Sequence, residues 1–252
     1  MSRQMMGVDV GGSGVKGGIV DLSTGELVGE RHKLATPKPA TPPAVAKTIA
    51  RVVDKAGWEG PVGCTVPAVV RHGVVHTAAN IDPGWIGTDG TALLSEQLGR
   101  PVTLLNDADA AGIAEMRYGA AAGHPAAGGV VILLTFGTGI GSAVFTGGRL
   151  LPNTEMGHLE MWGGSAEVRA AANARKAEGI GWQEWSERVS AYLKYVERLF
   201  WPDLFVFGGG VSRRHAKFLH YLDVRTPVVP AKLLNNAGIA GAALAADEEH
   251  SR

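Results

Sequence analysis

Three short glycine-rich segments each follow a run of apolar residues, and their composition suits phosphate binding. The segments are Gly11–Gly14, Gly137–Gly141 and Gly208–Gly210. Because glycine has no side chain, successive backbone N–H groups can approach an anion closely and point at it together. Hairpin turns that bind nothing are the alternative for any one segment, but three in one chain favour phosphate binding.

Two opposite charges flank the first glycine segment. Asp9 precedes it and Lys16 follows it. A carboxylate at this position could hold Mg²⁺ through water, while the lysine ammonium meets a phosphate group. The segment is therefore a candidate for binding a phosphorylated donor.

A second candidate for chemistry lies at the end of the apolar run Pro101–Leu105. This run predicts a strand that delivers Asn106 and Asp107 at its carboxyl end, the edge where open α/β sheets border their ligand crevice. A carboxylate there can accept the proton of an attacking hydroxyl in phosphoryl transfer to an alcohol. The alternative is that Asp107 or Asp109 caps the following helix, and the residues alone leave this open.

A third group of polar side chains comprises Glu155, His158 and Glu160, with Glu167 nearby. Carboxylates and an imidazole suit a polyhydroxyl ligand, because each hydroxyl both donates and accepts a hydrogen bond. One histidine without a cysteine in reach disfavours a zinc site. A histidine with no ligand role remains the alternative.

The elements that must position these residues follow from hydrophobic patterning. Met5–Val10 and Val15–Asp21 predict a hairpin around the first glycine segment, and no helical pattern follows its glycines, which excludes a dinucleotide-binding fingerprint. Val130–Thr135 and Ser142–Phe145 predict a second hairpin of the same layout. The repetition predicts two related halves.

Helical patterns alternate with the predicted strands. Predicted helices begin at Pro42, cover Thr91–Leu98, follow Asp107, run through Trp185–Leu199, and cover Val211–Leu219 and Gly238–Ala246, with a solvated tail after the last. Leu204–Phe207 predicts a further buried strand. Strands mixed with helices throughout predict an α/β protein.

Composition excludes several classes of protein. Of 252 residues, 45% are hydrophobic, which is enough for one large or two modest cores, while 24 basic and 24 acidic residues cancel. The balance argues against a broad nucleic-acid or anionic-membrane surface. Apolar runs are too short to cross a bilayer, no secretory signal is visible, and Cys64 is the single cysteine, so a cytoplasmic protein without disulfides is expected.

The motifs together resemble those of the ROK (repressor, open reading frame, kinase) sugar kinases of the hexokinase, heat-shock protein and actin superfamily. Five motifs carry the resemblance: Asp9–Gly17, Asn106–Ala111, Leu134–Gly141, Glu155–His158 and Phe207–Ser212. The resemblance implies two α/β domains of the actin-like ATPase, ribonuclease H-like fold with an interdomain cleft. Residues 1–107 with 236–252 would form a small domain, and residues 108–235 a larger one.

The chain departs from most ROK proteins between Leu159 and Ala166, where their cysteine-rich zinc loop is absent. This zinc-free form, together with the segments Leu199–Phe205 and Leu233–Gly238, is similar to bacterial polyphosphate glucokinases. That similarity implies phosphoryl transfer from inorganic polyphosphate to the 6-hydroxyl of glucose, with ATP as a second donor. It also implies Mg²⁺ as cofactor, no zinc, and a homodimer.

The resemblance also implies roles for particular residues. Asp107 would be the catalytic base, and Asp9 would place magnesium through water. The expected sugar ligands are Asn80, Asn106, Glu155, His158 and Glu167. The expected phosphate-binding residues are Gly11, Gly12, Ser13, Gly14, Lys16, Thr138, Gly139, Gly209 and Gly210.

Other functional classes are alternatives to a polyphosphate-dependent kinase. One is a strictly ATP-dependent ROK hexokinase acting on glucose, mannose or fructose. A sugar-responsive ROK regulator would need a DNA-binding region ahead of Asp9, where only eight residues stand, and a chaperone-type or actin-type ATPase would not need Glu155 and His158. Arg213, Arg214 and Lys217 either guide a polymeric donor or form a solvated helix face.

Overall fold

The computed structural model describes residues 3–78 and 81–250 and shows a mixed α/β protein with two five-stranded sheets. The chain divides into two compact units. The first unit comprises Met1–Ala114 and Asn236–Arg252, and the second comprises Glu115–Asn235. The domain assignment made from the sequence, including its boundary at residue 107 and its cleft, stays a prediction.

Fourteen strands lie within the described residues. They are β1 Gln4–Gly11, β2 Gly14–Asp21, β3 Leu27–Leu34, β4 Val62–Val66, β5 Val70–Arg71, β6 Val74–Val75, β7 Val102–Asn106, β8 Val130–Phe136, β9 Ile140–Thr146, β10 Arg149–Leu151, β11 Glu160–Met161, β12 Gly164–Ser165, β13 Leu204–Gly208 and β14 Val228–Pro230.

Seven α-helices lie within the same residues. They are α1 Pro42–Ala56, α2 Gly90–Leu98, α3 Asp107–Arg117, α4 Glu167–Ala170, α5 Ala172–Ala177, α6 Trp182–Phe200 and α7 Ala237–His250. None of the helices described is long and apolar enough to cross a membrane.

The two large sheets have the same topology. The first unit's sheet has the order β3-β2-β1-β4-β7, and the second unit's has β10-β9-β8-β13-β14. In each sheet three strands form an antiparallel meander, and two further strands run parallel to the first strand of the meander. The prediction of two related halves, made from the two hairpins, is therefore confirmed in strand order.

The first unit's sheet is covered on both faces. On one face, valines of β1 and β4 pack against the apolar side of α1, and Val52 approaches Gly17. On the other face, the backbone of α7 lies directly on the strands, because Gly7 and Gly63 have no Cβ where the carbonyls of Ile239 and Ala242 pass. This contact brings α7 close to the sheet and to the carboxyl end of β1.

The second unit's core is rich in aromatic side chains. The rings of Phe136 and Phe207 stack with centroids 4.2 Å apart, and Trp185 and Tyr192 of α6 meet Phe136 edge-on. Phe218 completes the cluster against Trp185. The cluster fixes α6 beneath the carboxyl ends of β8 and β13, where two glycine segments begin.

Two predicted segments differ from the structure. The helix predicted over 211–219 is wrong as an α-helix: two 3₁₀ turns occupy Gly210–Lys217 and Leu219–Tyr221, with a non-helical backbone at Arg214. Side chains compete for the backbone there, since the Ser212 hydroxyl donates to the Gly209 carbonyl.

The solvated tail predicted after residue 246 is helical as far as His250, and its residues Glu248, Glu249 and His250 are exposed as expected. Two contacts hold its last turns on the first unit. Arg3 pairs with Asp247 at 2.6 Å, and the Thr103 hydroxyl donates to Glu249 at 2.6 Å.

Candidate active site

The first glycine segment is the tip of the β1–β2 hairpin. Gly11 and Gly14 are the last partners of the ladder, so Gly12 and Ser13 form an exposed two-residue turn. The hydroxyl of Thr36 donates to the Gly11 carbonyl at 2.5 Å and supports the turn from the side. The backbone of this tip is therefore held in place and open to a ligand.

Asp9 and Lys16 face each other directly across the same hairpin. Their Cα atoms are register partners, and Lys16 Nζ lies 3.3 Å from Asp9 Oδ2. On the other side, the Thr65 hydroxyl donates to Asp9 Oδ1 at 3.1 Å. Gly238, at the start of α7, lies against this carboxylate, since a Cβ there would be 2.9 Å from Asp9 Oδ1.

This arrangement fits a magnesium ion bound through water. Mg²⁺ keeps several waters and takes other oxygen ligands from phosphates, so one accessible carboxylate suffices. The Asp9 side chain is 17% exposed, and each oxygen keeps a lone pair beyond its bond to Thr65 or Lys16. Within residues 3–78 and 81–250, no group of three or more His, Cys, Asp or Glu side chains could hold a metal directly.

Asn106 and Asp107 lie where β7 passes into α3. The Asn106 Oδ1 accepts from the backbone N–H groups of Ala108 and Asp109, at 2.8 and 3.1 Å, and its amide donates to the Ala68 carbonyl at 3.1 Å. Asn106 therefore caps α3, a role that sequence analysis offered to Asp107 or Asp109. The cap fixes Asp107 as the first, half-buried residue of the helix, where the helix dipole favours a carboxylate.

Asp107 and the first glycine segment lie at the same edge of one sheet. β1, β4 and β7 run parallel, so the residues that follow their carboxyl ends meet at one edge. β4 separates β1 from β7, which puts Gly11 and Asn106 about 10 Å apart, or two strand spacings. The first unit therefore places the carboxylate of Asp107 near the first glycine segment, whose turn is large enough for a phosphate group.

The second glycine segment is built around the carboxylate of Glu167. Gly137–Gly139 connects β8 to β9, and the Ile140 N–H donates to Glu167 Oε2 at 2.9 Å. A Cβ at Gly139 would meet the same carboxylate oxygen, so any side chain there would have to displace Glu167. Thr138 and Gly139 are thus positioned by one of the predicted sugar ligands.

Glu155, His158 and Glu167 come together as the sequence predicts. His158 Nε2 lies 3.8 Å from Glu155 Oε2, and His158 Nδ1 lies 3.8 Å from Glu167 Oε1. The imidazole is half exposed and the two carboxylates are about one-third exposed, so a ligand can reach all three. Burial raises the pKa of Glu155, with His158 opposing the shift and Glu167 adding to it.

Two local structures hold this cluster. The hydroxyl of Ser142 donates to the Thr154 carbonyl at 2.6 Å and accepts from the Met156 N–H at 3.0 Å, which fixes the turn that carries Glu155 and His158. The small β11–β12 hairpin then closes with the Ala166 N–H donating to the Leu159 carbonyl at 2.8 Å. Closure of the hairpin returns the chain so that Glu167 faces His158.

The third glycine segment has a packing reason of its own. Gly209 has a positive φ of 81°, and a Cβ there would clash with the backbone of Phe136. Gly210 has open space where its Cβ would be. β8 and β13 are parallel neighbours, so this segment lies beside Gly137–Gly139, and phosphate binding by Gly209 and Gly210 stays a prediction.

A place in the site stays untested for some predicted residues, and other residues were not predicted. Asn80 lies outside the described residues. Arg213, Arg214 and Lys217 are exposed on the 3₁₀ turns, and a polymer track there stays a prediction. Thr65 and Ser142 could not be predicted, because a lone hydroxyl in a predicted strand gives no signal of a side-chain contact.

Comparisons with known proteins agree with the motifs. Residues 5–167 match the model of the ROK family. The chain is 57% identical over 251 residues to a polyphosphate glucokinase of Mycobacterium tuberculosis, covering 98% of this chain and 94% of that one.

Solved structures agree as well. The inorganic polyphosphate/ATP-glucomannokinase of Arthrobacter sp. strain KM has a TM-score of 0.93 at 50% identity, covering 98% of this chain and 99% of that one. A ROK family glucokinase of Streptomyces griseus, solved with glucose and AMPPNP, has a TM-score of 0.82 at 26% identity, covering 98% and 100%. These neighbours have the actin-like ATPase fold, which confirms the predicted fold class.

Proposed function

The chain belongs to the ROK family, and from this premise we propose that it transfers the terminal phosphoryl group of inorganic polyphosphate to the 6-hydroxyl of glucose. The product is glucose 6-phosphate. The proposal rests on the cluster of Glu155, His158 and Glu167 beside the glycine turn Gly137–Gly139. The cluster suits a polyol, and the turn next to it suits a phosphate group. The 57% identity to a polyphosphate glucokinase over nearly the whole chain supports the polymeric donor.

Glucose is held by the cluster of Glu155, His158 and Glu167. Their carboxylates accept from sugar hydroxyls, and the imidazole both donates and accepts, which matches the alternating needs of neighbouring hydroxyls. Asn106 adds an amide, since its second N–H is not needed for the Ala68 carbonyl. Asn80 is a further ligand in the proposal, on the resemblance alone.

Asp107 acts as the general base. Its carboxylate takes the proton of the 6-hydroxyl as that oxygen attacks the terminal phosphorus. Its place at the start of α3, fixed by the Asn106 cap, supports this role because the helix dipole keeps negative charge favourable there.

The donor is held by the glycine turns. The backbone N–H groups of Gly11–Gly14, the turn Thr138–Gly139 and the pair Gly209–Gly210 orient the phosphoryl groups, and Lys16 neutralises part of their charge. When bound through water at Asp9, magnesium neutralises further phosphate charge. Fixed N–H dipoles and cations of this kind stabilise the charge of the transfer step.

A second donor and a second acceptor follow from the Arthrobacter relative, whose name gives polyphosphate and ATP as donors and a glucomannokinase activity. We therefore include ATP and mannose as substrates of the proposed enzyme. A strictly ATP-dependent ROK hexokinase remains the second candidate. It is favoured by the ROK glucokinase solved with glucose and AMPPNP, at lower identity.

The proposed enzyme is a cytoplasmic homodimer without nucleic-acid or membrane partners. The one cysteine, Cys64, is buried and free, so the fold needs no oxidising compartment. Zinc is not part of the proposal, since the stretch between His158 and Glu167 holds no cysteine. Sedimentation analysis would contradict the dimer if the protein stays monomeric at micromolar concentration.

The donor is tested by giving purified protein glucose and magnesium with either polyphosphate or ATP. Glucose 6-phosphate is expected from polyphosphate at a higher kcat/KM than from ATP. Product from ATP alone would replace the proposal with the ATP-dependent hexokinase. Product from neither donor would exclude both.

The base is tested by Asp107→Asn, with Asp109→Asn as the neighbouring control. Because removal of a general base slows proton transfer, we expect Asp107→Asn to lower kcat by a factor of about 10² to 10⁴. Its affinity for glucose should stay close to that of the wild type. Near-normal turnover of Asp107→Asn would remove this residue from the mechanism.

A further inference from the structure

A row of polar side chains crosses the first unit's sheet beside the first glycine turn. Lys33 is the register partner of Lys16, Lys16 that of Asp9, and Asp9 that of Thr65. Directly opposed residues on neighbouring strands project from the same face. The row therefore runs over β3, β2, β1 and β4 on the face that α7 covers in part.

Lys33 leans along β2 toward the hairpin tip. A Cβ at Gly14 would lie only 2.7 Å from Lys33 Cε and 3.6 Å from its Cγ, so the side chain crosses Gly14. Gly14 stands two residues nearer the turn than Lys16, the partner of Lys33. The ammonium lies one bond beyond Cε, and is therefore close to Gly14, the residue that directly follows the turn of Gly12 and Ser13.

The charge of Lys33 is the uncompensated one in this row. Lys16 pairs with Asp9 at 3.3 Å, so those two charges cancel locally. Lys33 is exposed, and among the ion pairs of the residues that the structure describes it has no acidic partner. A cation without a carboxylate, aimed at a glycine turn, is suited to an anion.

We propose that Lys33 is a donor-binding residue, whose ammonium contacts phosphoryl groups of polyphosphate at the first glycine turn. The inference rests on the proposed function. Polyphosphate carries about one negative charge per phosphorus along its length, so Lys33, as a second cation next to Lys16, can neutralise a further phosphate charge. Lys33 lies in β3, outside the glycine motifs, which is why no motif points to it.

The contrasting role for Lys33 is packing alone, in which its methylenes cover Gly14 and its ammonium is only solvated. Lys33→Met separates the two roles, because methionine keeps an unbranched apolar side chain over Gly14 and removes the charge. Lys33→Arg restores the charge. Lys47→Met is the matched control, since Lys47 is an exposed lysine of α1, which packs on the opposite face of the sheet.

The first measurement is binding of tripolyphosphate with magnesium, without glucose, by titration calorimetry. We expect Kd to rise about three- to tenfold in Lys33→Met, the size of one partly screened charge contact, with a shallower salt dependence. Lys33→Arg should bind as the wild type does, and so should Lys47→Met. An unchanged Kd in Lys33→Met, or an equal rise in Lys47→Met, overturns the inference.

The second measurement is steady-state kinetics. We expect KM for polyphosphate to rise by the same factor in Lys33→Met, with kcat and KM for glucose within about twofold of wild type because the charge contact is to the donor. A loss confined to glucose KM or to kcat overturns the inference. If Lys33→Met does not fold, Lys33→Gln takes its place with the same criteria.

Failure of the proposed function is distinguishable from failure of this inference. If the wild type phosphorylates glucose from ATP alone, the polymeric donor is wrong. The role of Lys33 is then decided by tripolyphosphate binding and by KM for ATP, neither of which depends on turnover of the polymer.

Discussion

Glu155 makes the candidate site sensitive to pH. Burial raises its pKa above the ordinary 4.5, and the negative charge of Glu167 adds to the shift while His158 opposes it. The folded protein therefore binds a proton at Glu155 more readily than the unfolded chain does. A protonated carboxyl group has lost one acceptor, so proton and sugar compete for the same oxygen atoms.

This competition gives opposite pH dependences for affinity and stability. We expect KM for glucose to rise as the pH falls through the raised pKa of Glu155. The stability from protonated Glu155 is fully present below about 4.5, the unfolded value, and is lost as the pH rises through the folded value. Measuring KM for glucose and the urea midpoint between pH 4 and 7 checks both dependences. Glu155→Gln should flatten both pH profiles. A pH-independent KM in the wild type would contradict the role of Glu155.

Tyr192 carries an unusual hydroxyl in the second unit's core. Burial raises its pKa, with the charge of Glu167 adding to the shift, and its oxygen has no hydrogen-bond partner among the residues that the structure describes. An unsatisfied buried hydroxyl costs stability.

Tyr192→Phe should therefore leave the free energy of unfolding unchanged or raise it by up to about 1 kcal/mol. Urea denaturation measures the difference. Tyr195→Phe, one turn along α6 and half-buried, serves as the neutral control. A clear loss in Tyr192→Phe would reveal a partner for the hydroxyl, such as a buried water.

At the scale of elements, the end of α3 is held by one buried carboxylate. Glu115 Oε2 accepts from the backbone N–H groups of Ala120 and Lys232, at 2.7 and 3.1 Å, and Oε1 accepts from that of Leu233 at 2.7 Å. Glu115 is almost fully buried. It joins the end of α3 to a segment more than a hundred residues later in the chain.

Glu115→Ala should lower the free energy of unfolding by at least about 3 kcal/mol, since three buried N–H groups lose their acceptor at roughly 1 kcal/mol or more each. Glu115→Gln should lose less, because an amide oxygen still accepts. Chemical denaturation with Glu187→Ala, an exposed glutamate of α6, as control measures both. A loss below 1 kcal/mol in Glu115→Ala would mean that water replaces the carboxylate.

Hairpins and long helices could be predicted from the sequence, but contacts between distant segments could not. The glycine turns between alternating apolar runs gave β1–β2 and β8–β9, and Thr41-Pro42 gave the start of α1. Glu115 gave no signal, because its partners are backbone groups of a segment without any pattern. The 3₁₀ turns after Gly209 were missed since local Ser212 and His215 hydrogen bonds, not periodicity, decide them.

The candidate site divides in the same way. Glu155, His158 and Glu167 were found because a motif names them, and the structure brings them together. That Asn106 caps α3 was not predicted, since the sequence analysis considered only Asp107 and Asp109 for this position. The position of Lys33 over Gly14 could not be predicted from the sequence, because it depends on strand register.

At the scale of the whole molecule, two sheets of the same strand order each carry glycine turns at the carboxyl ends of their parallel strands. The first unit carries Asp9 and Asp107, and the second carries Glu155, His158 and Glu167. The repetition of the hairpin was readable from the sequence. Pairing of β13 with β8 was not, because many residues separate them and register depends on the folded sheet.

Glucose binding is expected to raise the stability of the folded protein, because the ligand binds the native state and not the unfolded chain. Glucose at a hundred times its Kd is expected to stabilise the folded state by about 2.7 kcal/mol. Thermal denaturation with and without glucose measures the shift. In Glu167→Gln the Ile140 N–H keeps an acceptor while the sugar loses a charged one, so the shift should shrink; an undiminished shift would exclude Glu167 as a sugar ligand.

The place of α7 has a consequence for biosynthesis. Its backbone covers Gly7 and Gly63, yet it leaves the ribosome only after all of the second unit. During synthesis, the face of the first sheet that α7 covers therefore stays uncovered until the second unit has been made. A message cut short before codon 237 would yield a polypeptide whose glycine-lined face stays open to proteases and chaperones.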